Sequence, residues 1–374
     1  MRMFYTSYEL TGCKVRGNIM NLPMPRLCVV GNLLGRNEGY ITTQGLILAD
    51  LFANAGYSVR SCSSRINRLV RLCDIAKTII ACKNRTDVII LDVYSGQSMI
   101  IADTVSTICK LLKIPLIAVL RGGNLPQFVE KYPQWTQRIL RRADILVAPS
   151  HFLAKEFEKY DFSVRVIPNV IDIDLYPFKP RSQISSRLIW MRSFHPIYNP
   201  QMALDVLARL RSANMPTTLT MAGADKGLES EIKKRTEEMG LSSSVRFPGF
   251  LTSEAKAREF ANADIYINTN HIDNMPVSVV EACAFGLPVV ATRVGGISHL
   301  LSHGENGILV KDGDADEMAS AITNLLSNKD LTEKLSNGGR RLAEQSAWPS
   351  VRSKWNVLFE ELGAGEKIVN VGSD

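Results

Sequence analysis

Short apolar runs recur along the chain, most of them followed by a stretch with helical spacing. Leu27 to Gly31, Tyr57 to Cys62, Val88 to Leu91, Pro115 to Leu120, Ile145 to Ala148 and Val164 to Ile167 read as strands. Thr42 to Ala55 is periodic and stops at Gly56, and helices are expected in the remaining gaps. The pattern breaks over Pro168 to Pro180, a segment with three prolines that reads as a hinge. It then restarts. Strands are expected at Leu188 to Met191, Thr217 to Ala222, Val245 to Phe247, Asp264 to Asn268 and Pro288 to Ala291. Helices are expected at Gln201 to Ser212, Leu228 to Met239, Ser253 to Ala261, Val277 to Phe285, Asp316 to Ser327, Leu331 to Ala343 and Ser350 to Leu362. Strand–helix alternation means parallel sheets covered on both faces. The fold expected is α/β, with two doubly wound Rossmann-like domains facing across a cleft. Ligands in such folds bind at the carboxyl ends of the strands.

The 374 residues suit two domains, with 45% hydrophobic and 22% charged residues. The expected boundaries are an N-terminal extension over 1–24, a first domain over 25–178 and a second over 179–345. Residues 346–374 form a final helix, expected to cross back to the first domain, and a polar tail. No apolar run reaches the ~20 residues needed to span a bilayer. The first residues lack the apolar block of a secretory signal, so a cytoplasmic protein is expected. Seven cysteines, with no C-x-x-C pair, read as reduced thiols that mostly serve as small core side chains.

Charge is uneven. Up to Pro180 there are 23 Lys and Arg against 14 Asp and Glu; beyond it there are 21 against 23. Two basic clusters, Arg60/Arg65/Arg68/Arg71 and Arg138/Arg141/Arg142, read as either solvated surface or an attraction to an anionic membrane or a phosphate-bearing acceptor. They lack the interleaved aromatics of a nucleic-acid surface.

The densest chemistry lies between Asn270 and Gly296. Asp273 and Glu281 flank the turn Asn274-Met275-Pro276, and Pro276 is expected in the first turn of a helix. Free amides at that helix start, near Val277 and Ser278, make an anion site. Glu281 stands among Val279, Val280, Ala282, Ala284 and Phe285, where a carboxylate is costly to bury unless bound. Ribose hydroxyls would satisfy it. An anion cradle between two accepting carboxylates suits a nucleotide sugar.

Arg192 follows a strand, at a loop lip where a guanidinium can hold a diphosphate bidentately. Lys226 occupies the lip after the next strand. Gly295-Gly296 reads as either a simple turn or a close backbone approach to a ligand. In the first domain, the loop containing Gly35 and Gly39 lacks the G-x-G-x-x-G spacing of a dinucleotide site. Arg121-Gly122-Gly123-Asn124 follows a strand directly and offers donors to the cleft, for acceptor or donor charge. No Ser/His/Asp order, H-E-x-x-H, P-loop or carboxylate cluster for a metal appears.

Residues 270–296 resemble the donor-site signature of the group 1 glycosyltransferases, which have the GT-B fold. That signature reads E-x7-E and then A-x-A-x-G-x-P-V-V-A. Here Glu281 is the second Glu, and Ala282-Cys283-Ala284-Phe285-Gly286-Leu287-Pro288-Val289-Val290-Ala291 matches the second half of the signature. Val147-Ala148-Pro149-Ser150, Val166 to Asp172, Phe247-Pro248-Gly249-Phe250 and Gly304 to Val310 are similar to family segments in the same order.

The resemblance implies a retaining, metal-independent transfer from a nucleoside-diphosphate sugar, with no cofactor, to a glycan or lipid-linked acceptor. Arg192 would bind the diphosphate and Glu281 the ribose. Asp273 and the amides of Asn274, Met275 and Val277 would hold the transferred sugar. Val277 and Ser278 would sit near the phosphates, and Gly249 and Phe250 would flank the base. The departures are Asp273 for the first Glu, Ile197 for the usual Lys five positions after Arg192, and Arg121 where many members carry His. Two rival readings stay open: a nucleotide-sugar epimerase, and an inactive nucleotide-sugar-binding subunit.

Overall fold

A computed structural model describes residues 24–37 and 42–364. The expected 1–24 extension, apart from Met24, and Gly39 lie outside the described residues.

Two six-stranded parallel sheets carry the fold. The first contains β1 (Leu27–Val30), β2 (Val59–Cys62), β3 (Val88–Val93), β4 (Leu116–Leu120), β5 (Ile145–Ala148) and β6 (Val164–Val166) in the order β2-β1-β3-β4-β5-β6. The second contains β7 (Arg187–Met191), β8 (Thr218–Ala222), β9 (Val245–Gly249), β10 (Ile265–Asn268), β11 (Val289–Thr292) and β12 (Ile308–Val310) in the order β12-β11-β10-β7-β8-β9. The strand β12 is absent from the expected set. In β3 and β4 every residue is buried, as helices on both faces require.

Strand order reverses between β1 and β3 in the first sheet and between β7 and β10 in the second. The crossover helices leave each sheet in opposite directions there, opening a crevice at the carboxyl edge. Arg192 leaves β7 and the Asp273 loop follows β10, so both stand at the reversal point of the second sheet.

The final helix, Trp348–Glu361, begins two residues earlier than its periodicity suggests because Pro349 fits the first turn. It packs on the first domain. Trp355 and Phe359 join Phe52, Leu27 and Val88 in one core, and Phe52 meets Trp348 edge-on at 5.0 Å. Each such aromatic burial stabilises by roughly 1.5–3 kcal/mol. The Tyr57 hydroxyl donates to Asn356 at 2.6 Å and ties the helix to the start of β2. The chain therefore crosses between the sheets twice, near 168–180 and near Ala347, which pairs with Ile171.

Among the described residues, Cys28, Cys62, Cys82, Cys109 and Cys283 are buried, Cys73 is exposed and none forms a disulfide.

Candidate functional site

The helix at the centre of the site starts at Val277, as the apolar run suggests, while Pro276 stands just outside its first turn. Pro276 has φ −68° and ψ 113°, so it caps Val277–Ala284 from outside. Its carbonyl accepts from Val279 at 3.1 Å, which leaves the amides of Val277 and Ser278 outside the helical ladder. Asp273 to Met275 form the loop before it. Asp273 Oδ1 accepts from the Asn274 amide at 2.8 Å, Oδ2 accepts from Asn270 at 2.8 Å, and its carbonyl accepts from Gly296 at 2.8 Å.

The glycine pair after β11 explains itself here. A Cβ on Gly296 would lie 1.6 Å from the Asn274 carbonyl oxygen, and one on Gly295 would lie 2.4 Å from that of Asp273. The pair is pressed against the site loop from behind; the close backbone approach serves the loop. Gly223 works similarly, since its Cβ would lie 1.9 Å from the Arg192 carbonyl oxygen and would part the β7 and β8 lips.

Arg192 meets Asp273 at 2.5 Å, and both side chains are 15% exposed. Its guanidinium stacks on Tyr198 at 4.0 Å and reaches Ser278 Oγ at 3.5 Å. Burial works against its charge, but Asp273, then Tyr198 and Tyr266, outweigh that and raise its pKa. Ser278 Oγ also takes the Tyr266 hydroxyl at 2.8 Å.

Glu281 is buried and internally partnered. Tyr176 donates to its Oε1 at 2.9 Å and the Lys256 ammonium forms an ion pair with the same oxygen. Oε2 accepts no hydrogen bond among the described residues. Burial, then the Glu281 charge, push the Tyr176 phenol up, so it stays a donor. A buried carboxylate in an apolar helix therefore has a partner without a ligand. Tyr198, Tyr176 and Lys256 carry no local signal in the sequence; Tyr176 lies 105 positions from Glu281 and Lys256 lies 25.

A cavity of about 480 Å³ lies between the domains, a size suited to a small-molecule ligand. Arg192, Gly223, Phe250, Lys256, Val277 and Glu281 line it from the second domain, Gln44 and Ile47 from the first, and Tyr176 from the linker. Phe250 is 57% exposed. Asp273, Asn274, Met275, Pro276, Ser278 and Gly249 are not among its lining residues, and Asp273 and Ser278 reach the wall through Arg192. Lys226 is exposed on the lip; its amide donates to the Phe194 carbonyl at 3.2 Å, and its side chain makes no ion pair among the described residues.

Arg121 departs from its expected role as a donor to the cleft. Its side chain is 7% exposed, with Nε on Asp92 at 2.7 Å and Nη1 on Asn169 at 2.8 Å. Asn169 in turn donates to the Met275 carbonyl at 3.1 Å. Arg121 is thus a strut running, through Asn169, from the β3 carboxylate to the Asp273–Met275 loop. Gly123 stands 3.8 Å, measured from its would-be Cβ, from the Asn274 amide, and Ser150 hydrogen-bonds Asn274 across the domain boundary. Gly122 packs near Ser95, Asn124 is exposed before the Leu125–Lys131 helix, and Gly35 sits in a short turn after β1. Several buried polar atoms around the cleft have no partner among the described residues: Arg192 Nε, Asn270 Oδ1, Asn274 Nδ2 and Asp92 Oδ2. Such a concentration marks a place where water or a ligand completes the hydrogen bonding.

The Arg138/Arg142 cluster is engaged internally. Both bind Asp103, which Trp135 also contacts at 2.8 Å. Among the described residues, no group of His, Cys, Asp or Glu is placed to hold a metal ion, and no helix is long and apolar enough to cross a membrane.

Two doubly wound domains facing across a cleft, joined by a hinge and a returning C-terminal helix, define the GT-B fold. Known structures of the same fold agree. The Anabaena HepE protein, solved in complex with UDP-glucose, superposes with a TM-score of 0.72 at 18% identity over 90% of this chain and all of that one. Sucrose-phosphate synthase from Thermosynechococcus elongatus does so with 0.76 at 15% identity, over 91% and 99%. The glycosyl transferases group 1 model matches residues 181–342, and the glycosyltransferase family 4 model matches 69–175. The chain belongs to the group 1 glycosyltransferases.

Similar curated proteins include a D-inositol 3-phosphate glycosyltransferase of Corynebacterium jeikeium, 26% identical over 66% of this chain and 65% of that one. An MMP alpha-(1->4)-mannosyltransferase of Mycolicibacterium hassiacum is 26% identical over 63% and 57%. The match spans less than two thirds of the length of either relative.

Proposed function

We propose that this protein transfers a sugar from a nucleoside-diphosphate sugar to a hydroxyl of a glycan or lipid-linked acceptor, with retention of anomeric configuration and without a metal cofactor. The reaction would serve cell-surface polysaccharide assembly on the cytoplasmic face of a membrane. The observation that carries this reading is the Arg192–Asp273 pair at the strand-order reversal of the second sheet, beside a free helix N-terminus. The family resemblance and the relatives' names support the same chemistry.

In this reading the donor diphosphate replaces Asp273 as the partner of Arg192. The freed Asp273 accepts from a hydroxyl of the sugar, so one charge exchange couples phosphate binding to sugar binding. Arg192 and the amides of Val277 and Ser278 then offset the charge that grows on the departing nucleoside diphosphate. Lys226 supplies a further cation at the lip. Glu281, oriented by Lys256 and Tyr176, takes a ribose hydroxyl on Oε2. The first domain presents the acceptor, and closure about the hinge excludes water that would hydrolyse the donor.

The test is product analysis. The protein is incubated with nucleotide sugars and an acceptor panel in the presence of a chelator, and proton couplings at the new anomeric centre are read by NMR. Donor and product of the same configuration are expected. An inverted product, or loss of turnover on chelation, overturns the retention or the metal independence. Conversion of the donor with no acceptor present identifies an epimerase instead.

A further inference from the structure

The β2 lip carries an exposed segment that the sugar-transfer site does not use. Residues 64–70, Ser-Arg-Ile-Asn-Arg-Leu-Val, are all exposed. Ile66 is 57%, Leu69 75% and Val70 51% exposed, large values for apolar side chains so close together. Arg65 and Arg68 alternate with them, and no acidic residue occurs between Ser58 and Cys73. Asn67 fixes the geometry: its side chain caps the Arg68–Ala81 helix by accepting from Leu69 and Val70 at 3.0 and 3.2 Å. The apolar residues are thus held outward on a rigid helix start.

The patch continues onto the next lip. A groove of about 760 Å³ is lined by Leu34, Leu69, Leu72, Ile100 and Ile101, with Arg68 at its rim. Ile100 is 50% exposed. These residues follow β1, β2 and β3, so the groove lies on the carboxyl edge of the first sheet, the same edge that faces the cleft.

We infer that the segment Arg65–Val70, with Ile100, is the surface by which this protein docks on an anionic lipid bilayer. Apolar side chains on a capped helix start enter the headgroup boundary, and the interleaved arginines meet lipid phosphates. In the second basic cluster Arg138 and Arg142 both pair with Asp103, whereas Arg68 meets the neutral Gln97 and has no acidic partner among the described residues. The charge pattern favours a bilayer over a protein partner, since a continuous run without acids matches a uniformly anionic surface. Docking at this edge brings the headgroup of a membrane-embedded acceptor to the cleft. This part rests on the transfer reading; the docking itself does not.

The test is co-sedimentation of the full chain with phosphatidylcholine vesicles, with and without phosphatidylglycerol, at low and high salt. The variants are Ile66→Ser/Leu69→Ser and Arg65→Gln/Arg68→Gln, all at exposed positions, with thermal melts to verify folding. Wild type is expected to bind the anionic vesicles selectively and to release in salt. The double Arg variant is expected to bind about 30-fold more weakly at low salt, and the double apolar variant to lose binding at low salt as well. Nucleotide affinity, measured separately, should not move in either variant, so failure of docking and failure of the donor site are read independently. The inference is overturned if wild type ignores anionic vesicles at low salt, or if both variants bind as wild type. It is equally overturned if the apolar variant converts a dimer to a monomer, which assigns the patch to a second copy of the chain.

Discussion

Arg192 and Asp273 hold each other at 2.5 Å across the point where the second sheet reverses its strand order. Their spacing in the chain, 81 positions, hides a direct ion pair. In the proposed reading, a nucleoside diphosphate would compete with Asp273 for the guanidinium and would free the carboxylate for a sugar hydroxyl.

Arg192→Ala should therefore reduce nucleoside-diphosphate affinity by about 2 kcal/mol, some thirtyfold, because charge-assisted hydrogen bonds to phosphate are lost. Arg192→Lys should recover only part of it, since an ammonium neither forks across two oxygens nor stacks equally on Tyr198. Calorimetric titration checks both. Equal affinity in wild type and alanine variant removes Arg192 from the site.

Tyr176→Phe and Lys256→Met probe how Glu281 is oriented. Each removes a partner of Oε1 and leaves the cavity shape nearly intact. Donor KM should rise about fivefold for Tyr176→Phe, matching one hydrogen bond of ~1 kcal/mol, and more for Lys256→Met. With Glu281 acting on the ribose and away from the reacting centre, kcat should stay within about twofold. A loss confined to kcat would place these residues at the chemistry instead.

Arg121→Met should act through stability. It leaves Asp92 buried without its cation, a change that typically costs about 3–5 kcal/mol. The denaturant midpoint should fall accordingly, and donor affinity should weaken because Asn169 loses a support for the Met275 carbonyl. If the variant melts as wild type and loses only acceptor binding, Arg121 is a ligand residue and the strut is wrong.

Gly296→Ala tests the wall behind the loop. The added methyl meets the Asn274 carbonyl, so the loop must shift, at a cost of about 1–3 kcal/mol. Nucleotide binding should drop with stability. A fully active variant of wild-type melting temperature would contradict the packing.

Much of this is legible in the sequence because it is written in local signals. Strand–helix alternation and the Pro168–Pro180 break point to two parallel domains. Pro276 and the apolar run after it mark the helix that carries Glu281, with the proline capping that helix and not opening it. Pairings between distant segments are not legible. Nothing near Tyr176 or Lys256 announces Glu281, and nothing near Tyr198 announces Arg192. Burial misleads in one direction: a carboxylate among apolar neighbours suggests an external ligand, while the fold supplies Lys256. Arg121 shows the reverse, a cation at a strand end that the fold consumes internally through Asp92. Gly295-Gly296 does mark a close backbone approach, but the approaching group is the Asp273 loop.

The central claim is that a nucleoside diphosphate sugar binds between Arg192 and Glu281. A thermal-shift screen over nucleotides and nucleotide sugars tests it most directly, using wild type, Arg192→Ala and Glu281→Ala. Binding to the folded state alone raises the melting temperature with ligand concentration. One nucleoside diphosphate, alone and as its sugar conjugate, should raise the wild-type value and raise both variants far less at the same concentration. No shift with any nucleotide, or the same shift in all three proteins, would contradict the account.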